Sequence, residues 1–403
     1  MNTRDFIQQY REEDVRRLAL QGARFPEVDM PFALDQIAGW QTARKKLPTW
    51  AATEGVVYPP HLSMEQCSSE HTAKYKARVV QRLLSAGNQK EGLPPTRLLD
   101  LTGGFGVDFS WMARMFNEAV YVERLPSLCR VAQLNFRLLG LEHVEVACDH
   151  AEHFLLETGP VDVIFLDPAR RDIHGGRTFA IADCTPDVLA LREILIQKAR
   201  WVVVKLSPML DWHKAVEDLV TVSEIHIISV GNECKELLMV LKGRSLEMDE
   251  HNPLAVYCVN DDQSFDFFPS RSVNRCATVT TIPAGCYLYE PNASVMKASC
   301  YDALADCYEL RALSANSHLF VSPRLIDDFP GRKFRVIAAS SMNKQAVKEL
   351  LRDVNRANIA VRNFPVTVAE LRKRLKLADG GDHFLFGATT DEGRHLLILT
   401  EKV

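Results

Sequence analysis

The stretch Asp100-Leu-Thr-Gly-Gly-Phe-Gly106 lies between a short apolar run, 97–101, and a segment of helical spacing, 107–116. Its pattern is D-x-x-x-G-x-G at the predicted carboxyl end of a strand. Glycine lets the backbone turn sharply and come close to a ligand. The N-terminus of the following helix presents free N–H groups and the positive end of the helix dipole, which suit a carboxylate. The stretch therefore predicts either a ligand-binding loop or a tight strand–helix turn.

Strands and helices continue to alternate after this loop. Apolar runs predict strands at 119–122, 144–147, 161–166 and 201–206, with helices between and after them at 126–139, 151–156, 185–198 and 210–219. Short loops between alternating elements predict a doubly wound, Rossmann-like α/β sheet with helices on both faces. Two further strands, 225–230 and 235–241, are expected to form a hairpin at the edge of this sheet.

The flanking regions have different patterns. Helices are predicted at 3–22 and 32–46, and Ser68-Ser69-Glu70 offers an N-cap for a helix that runs to about residue 87. After about residue 250 the chain predicts short strands, a helix over 294–313, a linker at Pro330-Gly331 and a compact α+β module. We therefore divide the chain into a helical N-terminal domain (1–67), the Rossmann-like domain (68–248), a small α+β domain for which a ferredoxin-like arrangement is one option (249–329), and a basic α+β domain (330–403).

Acidic residues recur at the ends of consecutive predicted strands. Glu123 ends the second strand, where an acid accepts hydrogen bonds from a ribose diol, as in both NAD-binding and S-adenosylmethionine-binding folds. Asp149 follows the third strand, where it can accept from an adenine amino group. Each acid alone is equally well explained as a helix cap or a surface charge. Their recurrence favours an adenosine-containing cofactor, and the absence of G-x-G-x-x-G spacing disfavours NAD.

The segment Asp167-Pro168-Ala169-Arg170-Arg171 follows the fourth predicted strand. A carboxylate before a rigid Pro turn places hydrogen-bond acceptors where a planar amine can be held in line for attack on an electrophile, a reaction that depends chiefly on positioning. Arg170 and Arg171 either contact phosphates or belong to a surface turn. Lys205, after the fifth strand, faces the same mouth and either binds a phosphate or substrate or caps the end of the sheet.

The composition limits the kinds of partner that the protein is expected to bind. Its 403 residues are 47 % hydrophobic and 25 % charged, as in ordinary globular proteins, with a net charge of −4. We see neither a membrane-spanning apolar run nor a secretory signal, and the ten cysteines form no Cys-x-x-Cys pair, so we expect a cytoplasmic protein without a metal site. Residues 332–376 hold twelve Lys and Arg against three Asp and Glu. This basic segment predicts either a polyanion-binding surface or a solvated helix face.

Together these motifs resemble those of class I S-adenosylmethionine-dependent methyltransferases. Asp100, Gly104 and Gly106 match the first motif of that family, and Glu123 and Asp149 match its second- and third-strand acids. The resemblance covers roughly residues 70–245. It implies S-adenosylmethionine as the cofactor.

The Asp-Pro turn is similar to the family motif [D/N]-P-P-[Y/F/W/R], although Ala169 replaces the second Pro and Arg170 the aromatic residue typical of amino-group N-methyltransferases. Over the full chain the sequence resembles bacterial methyltransferases that end in a THUMP-like domain. The segments that carry this likeness are 68–76, 166–171, 289–293, 371–376 and Gly380-Gly381. Because THUMP domains are implicated in RNA binding, the resemblance implies an RNA substrate, in agreement with the basic segment.

We expect an enzyme that methylates a base nitrogen of tRNA or rRNA by direct in-line transfer, without metal or membrane. Methylation of a protein or small molecule, and a non-catalytic RNA-binding role, stay open. The expected catalytic residues are Asp167, Pro168 and Arg170, and the expected cofactor residues are Asp100, Thr102, Gly103, Gly104, Gly106, Glu123, Asp149 and Tyr75. The expected substrate-binding residues are Arg171, Lys205, Arg372, Lys373 and Arg374.

Overall fold

The computed structural model describes residues 1–87, 96–170, 181–246, 253–269 and 272–403. These residues form two compact units. The first comprises Met1–Ser223 and Leu238–Glu250, and the second comprises Glu224–Leu237 and His251–Val403. The chain passes between the units within one β-hairpin, so neither unit is a single continuous segment.

The first unit contains eleven described α-helices, three short 3-10 helices (Gly22–Arg24, Ala113–Met115 and Ile181–Asp183) and seven complete described strands. Its helices are α1 (Thr3–Tyr10), α2 (Val15–Leu20), α3 (Met30–Lys46), α4 (Pro48–Ala52), α5 (His61–Gln66), α6 (Glu70–Gly87), α7 (Val107–Met112), α8 (Pro126–Leu138), α9 (Ala151–Glu157), α10 (Val188–Lys198) and α11 (Trp212–Leu219). Its strands are β1 (Arg97–Asp100), β2 (Glu118–Glu123), β3 (Val144–Cys148), β4 (Val161–Leu166), β5 (Ala169–Arg170), β6 (Cys184–Thr185) and β7 (Ala199–Leu206). The hairpin strands β8 (Val222–Val230) and β9 (Glu233–Lys242) are divided between the two units.

A central sheet organises the first unit, with strands in the order β9-β7-β4-β1-β2-β3. Strand β1 pairs in parallel with β2 on one side and with β4 on the other. Leu98, Leu99, Val163 and Ile164 are buried, as expected for parallel strands covered by helices on both faces. The predicted doubly wound, Rossmann-like sheet is thereby confirmed.

N-cap residues decide where several helices begin. The predicted helix over 3–22 is two helices, because the Asp14 side chain accepts from the Arg17 N–H at 2.8 Å and starts α2 afresh. The helix predicted from residue 185 begins at Val188, because Asp187 accepts from the Leu189 and Ala190 N–H groups, both at 3.1 Å. Local capping chemistry thus overrides hydrophobic spacing at these boundaries.

The second unit contains the remaining elements. They are β10 (Ala255–Asn260), β11 (Gln263–Phe267), β12 (Tyr287–Pro291), α12 (Ala293–Ala298), α13 (Tyr301–Tyr308), β13 (Arg311–Ala312), β14 (Phe320–Ser322), β15 (Gly331–Ser341), α14 (Lys344–Leu350), β16 (Asn358–Arg362), α15 (Val368–Leu375), β17 (His383–Thr389) and β18 (His395–Lys402). Strands β12 to β18 form a seven-stranded sheet in the order β13-β14-β12-β15-β18-β17-β16. Leu288, Phe334, Phe386 and Ile398 are fully buried in its core. The α+β character predicted for this part of the chain is confirmed.

The predicted position of the β8–β9 hairpin at a sheet edge is wrong. Strand β10 pairs in parallel with β8, matching Val256 to Ile225 and Cys258 to Ile227, and β11 pairs with β10 from the outside. The side chains of β8 are buried from Ile225 to Ser229, so an open edge would expose them. Strand β11 alternates exposed and buried residues and is better suited to the outermost position.

The predicted linker at Pro330-Gly331 is also wrong. Gly331 is the first residue of β15 and pairs with Pro291 of β12. A Cβ at Gly331 would lie 2.1 Å from the carbonyl oxygen of Glu290, so the close approach of the two strands requires glycine. Residues on both sides of position 330 therefore contribute to one sheet.

The helix predicted over 294–313 is interrupted. It forms as α12 and α13, separated by Ser299 in the left-handed conformation with φ +55°. The chain then leaves the helical conformation at Glu309, φ +53°, and continues as β13. Two left-handed residues end the two helices, a feature that helical spacing alone does not reveal.

Candidate cofactor and target site

The Gly-rich loop joins β1 to α7. Gly104 and Gly106 have left-handed φ angles of +57° and +85°. A Cβ at Gly103 would lie 2.1 Å from Cε2 of Tyr121, whose hydroxyl donates to the Gly104 carbonyl at 2.5 Å. A Cβ at Gly104 would meet only the Thr102 carbonyl oxygen, at 3.7 Å, so its backbone borders open space. The loop is packed against Tyr121 on one side and is accessible at Gly104.

Asp100 and Thr102 connect this loop to the Asp-Pro turn. The buried Asp100 carboxylate accepts from the Thr102 N–H at 2.9 Å. The Thr102 hydroxyl accepts from the Asp167 N–H at 2.6 Å. Burial raises the pKa of Asp100 well above its usual range, against the lowering effect of the Thr102 N–H. Asp100 thus lies beneath the loop and supports it, while Thr102 fixes the distance between loop and turn.

Glu123 and Asp149 lie at the carboxyl ends of neighbouring parallel strands. Glu123 accepts from the Gly104 N–H at 3.0 Å and from the Leu125 N–H at 2.9 Å, which orients its carboxylate beside the loop. Asp149 accepts from the His150 N–H and from Nδ1 of His153, both at 2.7 Å. The hydrogen bond from His153 lowers the pKa of Asp149, and the same contact raises the pKa of His153. The structure therefore brings Asp100, Glu123 and Asp149 to one edge of the sheet.

The Asp167 side chain ends a row of charged groups that sequence reasoning did not assemble. Its Oδ2 lies 2.6 Å from Nζ of Lys205, which lies 3.8 Å from Oδ2 of Asp108. Asp108 Oδ1 lies 3.1 Å from Nζ of Lys76, and its Oδ2 accepts from the Ser68 hydroxyl at 2.7 Å. Burial favours a raised pKa for Asp108, but Lys76 and Lys205, with the hydrogen bond from Ser68, hold it below its usual range.

A sequence signal for this row exists in α6. Ala73, Val80 and Leu83 are buried, and Lys76 follows Ala73 by three residues and precedes Val80 by four. These spacings place Lys76 on the apolar face of the helix. A lysine on a buried face requires polar partners, and Asp108 and Ser68 are among them.

The remaining predicted residues of the first unit are placed as follows. Tyr75 is partly buried on α6, with the Arg78 guanidinium 5.7 Å from its ring centroid. Pro168 is buried in the turn after β4, and the backbone of Arg170 pairs with Cys184 in the β5–β6 ribbon. Arg171 lies outside the described residues.

N-terminal helices pack against the Gly-rich loop. The ring of Trp50, in α4, lies with its centroid 4.7 Å from that of Phe105 in the loop, and Tyr58 lies at 6.4 Å. Asn135 of α8 accepts from the Val57 N–H at 2.9 Å and donates to the Val57 carbonyl at 2.8 Å. The segment before α6 therefore packs against the loop and α8 and is not a detached region.

The predicted basic residues of the second unit lie on α15. Arg372 donates to the carbonyls of Ala357 and Ala378 at 3.1 and 3.0 Å and pairs with Asp379 at 2.5 Å. Lys373 and Arg374 are exposed. Arg372 thus stabilises the local fold, whereas its two neighbours face solvent.

The geometry fits an adenosine-containing cofactor. Three acids lie on one sheet edge, Glu123 is already oriented by two backbone N–H groups, and the backbone of Gly104 is open beside it. Among the described residues no cluster of three potential metal ligands occurs. No helix in the described ranges is long and apolar enough to cross a bilayer.

Comparisons with known proteins extend these observations. A family model described as THUMP domain-like matches residues 331–402, and one described as a ferredoxin-like domain matches residues 287–330. A crystal structure from Porphyromonas gingivalis W83, of a protein assigned as a methyltransferase, is 30 % identical, with a TM-score of 0.81; the match covers 99 % of this chain and 97 % of that one. The predicted resemblance to methyltransferases with a THUMP-like domain is confirmed.

Two more distant matches concern only part of the chain. A protein-L-isoaspartate O-methyltransferase from Thermotoga maritima is 34 % identical over 73 residues, which are 17 % of this chain and 23 % of that protein. This chain therefore spans less than a quarter of that relative. The structure of an S-adenosylmethionine-dependent methyltransferase from Agrobacterium tumefaciens is 19 % identical, with a TM-score of 0.30, over 42 % of this chain and 62 % of that one.

Proposed function

The chain belongs to the same methyltransferase family as the Porphyromonas gingivalis protein, and we propose that it is a class I enzyme that methylates a base nitrogen of tRNA or rRNA. One observation carries this proposal. The Thr102 hydroxyl accepts from the Asp167 N–H at 2.6 Å, so the turn that would receive the target lies directly against the cofactor loop. Glu123 and Asp149 extend the same sheet edge on the other side of the loop.

The cofactor of the proposed reaction is S-adenosylmethionine, which supplies an electrophilic methyl group on a sulfonium. Glu123, oriented by the Gly104 and Leu125 N–H groups, would accept from its ribose hydroxyls. Asp149 would accept from the adenine amino group, and Tyr75 would close over the methionine end. The glycines of the loop would let the backbone approach the cofactor.

The Asp167 turn would orient the methyl acceptor. The Asp167 carboxylate and the carbonyl of Pro168 are acceptors that can hold an exocyclic amine with its lone pair aimed at the methyl group. The nitrogen would take the methyl group that S-adenosylmethionine supplies, and Asp167 or water would accept the proton that the nitrogen loses. Alignment is the main contribution of these residues, since in-line transfer requires little acid–base assistance. Arg170 and Arg171 would contact the phosphates of the target.

RNA is the substrate class favoured by the second unit. The THUMP-like match coincides with the basic segment, and Lys373 and Arg374 on α15 are exposed. Exposed Lys and Arg side chains on one helix suit a phosphate backbone.

Two measurements test the proposal. Total RNA from a deletion strain should lack one methylated nucleoside by mass spectrometry, and the wild-type gene should restore it whereas Asp167→Ala should not. In a thermal-shift titration, S-adenosylmethionine at one hundred times its Kd should stabilise the protein by about 2.7 kcal/mol. Absence of stabilisation at millimolar S-adenosylmethionine would contradict the proposal that the protein is a methyltransferase. Stabilisation without loss of any RNA nucleoside contradicts RNA and favours a protein or small-molecule substrate.

A further inference from the structure

Five side chains form a continuous polar row from α6 to the Asp167 turn. Ser68 donates to Asp108 at 2.7 Å, and Lys76 lies 3.1 Å from the other oxygen of Asp108. Lys205 lies between two carboxylates, 3.8 Å from Asp108 and 2.6 Å from Asp167. We call Ser68, Lys76, Asp108, Lys205 and Asp167 the charge chain. It links α6, α7, the end of β7 and the turn after β4.

Solvent access increases along the charge chain. The side chain of Lys76 is 0 % exposed, those of Asp108 and Lys205 are 10 % and 11 % exposed, and that of Asp167 is 40 % exposed. Only Asp167 is therefore well placed to receive a group from solution. The buried members lie behind it, where ion pairs are poor contributors to stability because both partners lose hydration. Their placement behind the target turn suggests a contribution to the site rather than to folding.

We propose that Lys205 is a positioning residue, which holds the Asp167 carboxylate in one orientation and is itself held by Asp108, Lys76 and Ser68. This inference rests on the proposed function. With Oδ2 engaged by the Lys205 ammonium, rotation of the carboxylate is restricted, and the acceptor for the target amine has a fixed direction. Asp108 supplies the second carboxylate that keeps Lys205 in place, since an ammonium with one exposed partner would follow it into solvent.

This assignment differs from direct phosphate or substrate binding by Lys205. The ammonium is nearly enclosed, and the carboxylates on its two sides repel an incoming phosphate. Loss of Lys205 should therefore change the rate of transfer and leave cofactor affinity almost intact. Misplacement of a reacting group by about 1 Å lowers rates about 100-fold, which sets the expected size of the effect.

The test compares Lys205→Met and Lys205→Arg with Lys214→Met in the full-length protein. Lys214 pairs with Asp218 at 2.7 Å on the exposed face of α11, so its variant removes a Lys–Asp pair of similar length from the surface. Lys205→Met should fold, because Asp108 keeps Lys76 and Ser68 as partners and Asp167 is solvated. We expect kcat for methyl transfer to total RNA from a deletion strain to fall about 100-fold in Lys205→Met. Lys205→Arg should recover part of it, and Lys214→Met should match wild type.

Three results would overturn the proposal. Unchanged kcat in Lys205→Met is the first, and an equal loss of S-adenosylmethionine affinity in thermal-shift titrations is the second. The third is a crystal structure of Lys205→Met in which the Asp167 carboxylate keeps its wild-type orientation. If wild type itself transfers no methyl group, the proposed function fails, while the crystal structures of wild type and Lys205→Met still decide whether Lys205 positions Asp167.

Discussion

Gly103 is the residue of the cofactor loop with the least space for a side chain. An added Cβ would lie 2.1 Å from Cε2 and 2.4 Å from Cζ of Tyr121, whose ring is buried. Tyr121 also donates to the Gly104 carbonyl, so displacing its ring would move the loop. Gly103 is thus required by packing against β2, not by an unusual φ angle.

We expect Gly103→Ala to lower the free energy of unfolding by about 1–3 kcal/mol, because overpacking forces Tyr121 or the loop to shift. It should also weaken S-adenosylmethionine binding. Chemical denaturation and thermal-shift titration measure the two effects. Gly140→Ala is the control, since Gly140 has φ +74° with no atom within 4 Å, so only backbone strain of about 1–2 kcal/mol applies. Unchanged cofactor affinity in Gly103→Ala would contradict this account of the loop.

The buried pair of Asp108 and Lys76 is expected to contribute to stability. Asp108→Asn removes the carboxylate charge that lies 3.1 Å from the fully buried ammonium of Lys76 and should reduce stability by about 3–5 kcal/mol. The double variant Lys76→Met, Asp108→Asn removes both charges and should recover much of that loss. Urea denaturation at neutral pH measures both. Equal stability of the single and double variants would show that the pair is not coupled.

The same pair gives a pH dependence of stability. The pKa of Asp108 is held below its usual value by Lys76 and Lys205, despite burial. A carboxyl with a lowered folded-state pKa contributes stability above its unfolded pKa of about 3.9, and that contribution is lost as the pH falls through the lower folded value. The free energy of unfolding of wild type should therefore fall more steeply below about pH 4 than that of the double variant Lys76→Met, Asp108→Asn. Urea denaturation of both proteins over a range of pH measures this difference.

The strand-end acids could be predicted from sequence, whereas for the charge chain the sequence indicates only that Lys76, on the apolar face of α6, needs a polar partner. Asp100, Glu123 and Asp149 follow strands whose carboxyl ends must meet at one edge of a parallel sheet, so one-dimensional spacing implies proximity. Asp108 and Lys205 come from separate elements, and no local pattern indicates that their side chains meet. Their roles depend on packing between α6, α7 and β7, which only the three-dimensional structure reveals.

Among the elements, α8 has a direct connection to the N-terminal segment. Asn135 is 0 % exposed and makes two hydrogen bonds with the backbone of Val57, at 2.9 and 2.8 Å. Asn135→Ala removes both from the half-buried backbone of Val57, at a cost of up to about 1–3 kcal/mol for each lost hydrogen bond. We expect a clear loss of stability in thermal unfolding. Gln133→Ala, at an exposed position of the same helix, should leave stability almost unchanged. Similar melting temperatures for the two variants would contradict a structural link through Asn135.

Helix α15 is the element in which the RNA proposal is tested. Charge reversal of Lys373 and Arg374 to Glu should weaken tRNA binding and lower the magnitude of the slope of log K against log salt by about 0.9 for each lost phosphate contact. Fluorescence anisotropy over a range of salt concentrations measures both quantities. Arg16 and Arg17, exposed on α2, give a control with the same charge change. Equal effects of the two double variants would reveal non-specific electrostatics and not a binding surface on α15.

Element types were more predictable than their pairing. The helices and strands of residues 331–402 follow from hydrophobic periodicity, and the Thr367–Glu370 capping box fixes the start of α15. The partner of β8 could not be predicted, because β10 comes from a later part of the chain and adds in parallel. The start of β15 at Gly331 could not be predicted from sequence, because a Pro-Gly pair usually indicates a turn.

At the scale of the whole molecule, the two compact units do not follow the order of the chain. Residues 224–237 belong to the second unit, although 238–250 return to the first. Hydrophobic pattern predicts a boundary near residue 248, because the alternation of strands and helices ends there. The division of the molecule in space differs from the order along the chain. The chain enters the second unit in β8 and returns to the first unit in β9. The four-domain division of the chain therefore stays a proposal, and truncation is the experiment that tests it.

A fragment of residues 1–250 should aggregate. It lacks β10, which forms the outer neighbour of β8 and covers the edge next to the buried Ile225, Ile227 and Ile228. An unpaired apolar edge strand is a template for pairing with other chains. A fragment of residues 1–268 retains β10 and the half-exposed β11 as the outermost strand, so it should yield more monomer in size-exclusion chromatography with light scattering. A monomeric 1–250 fragment that melts cooperatively would contradict this reasoning and would place the functional boundary at residue 248, where hydrophobic pattern alone predicts it.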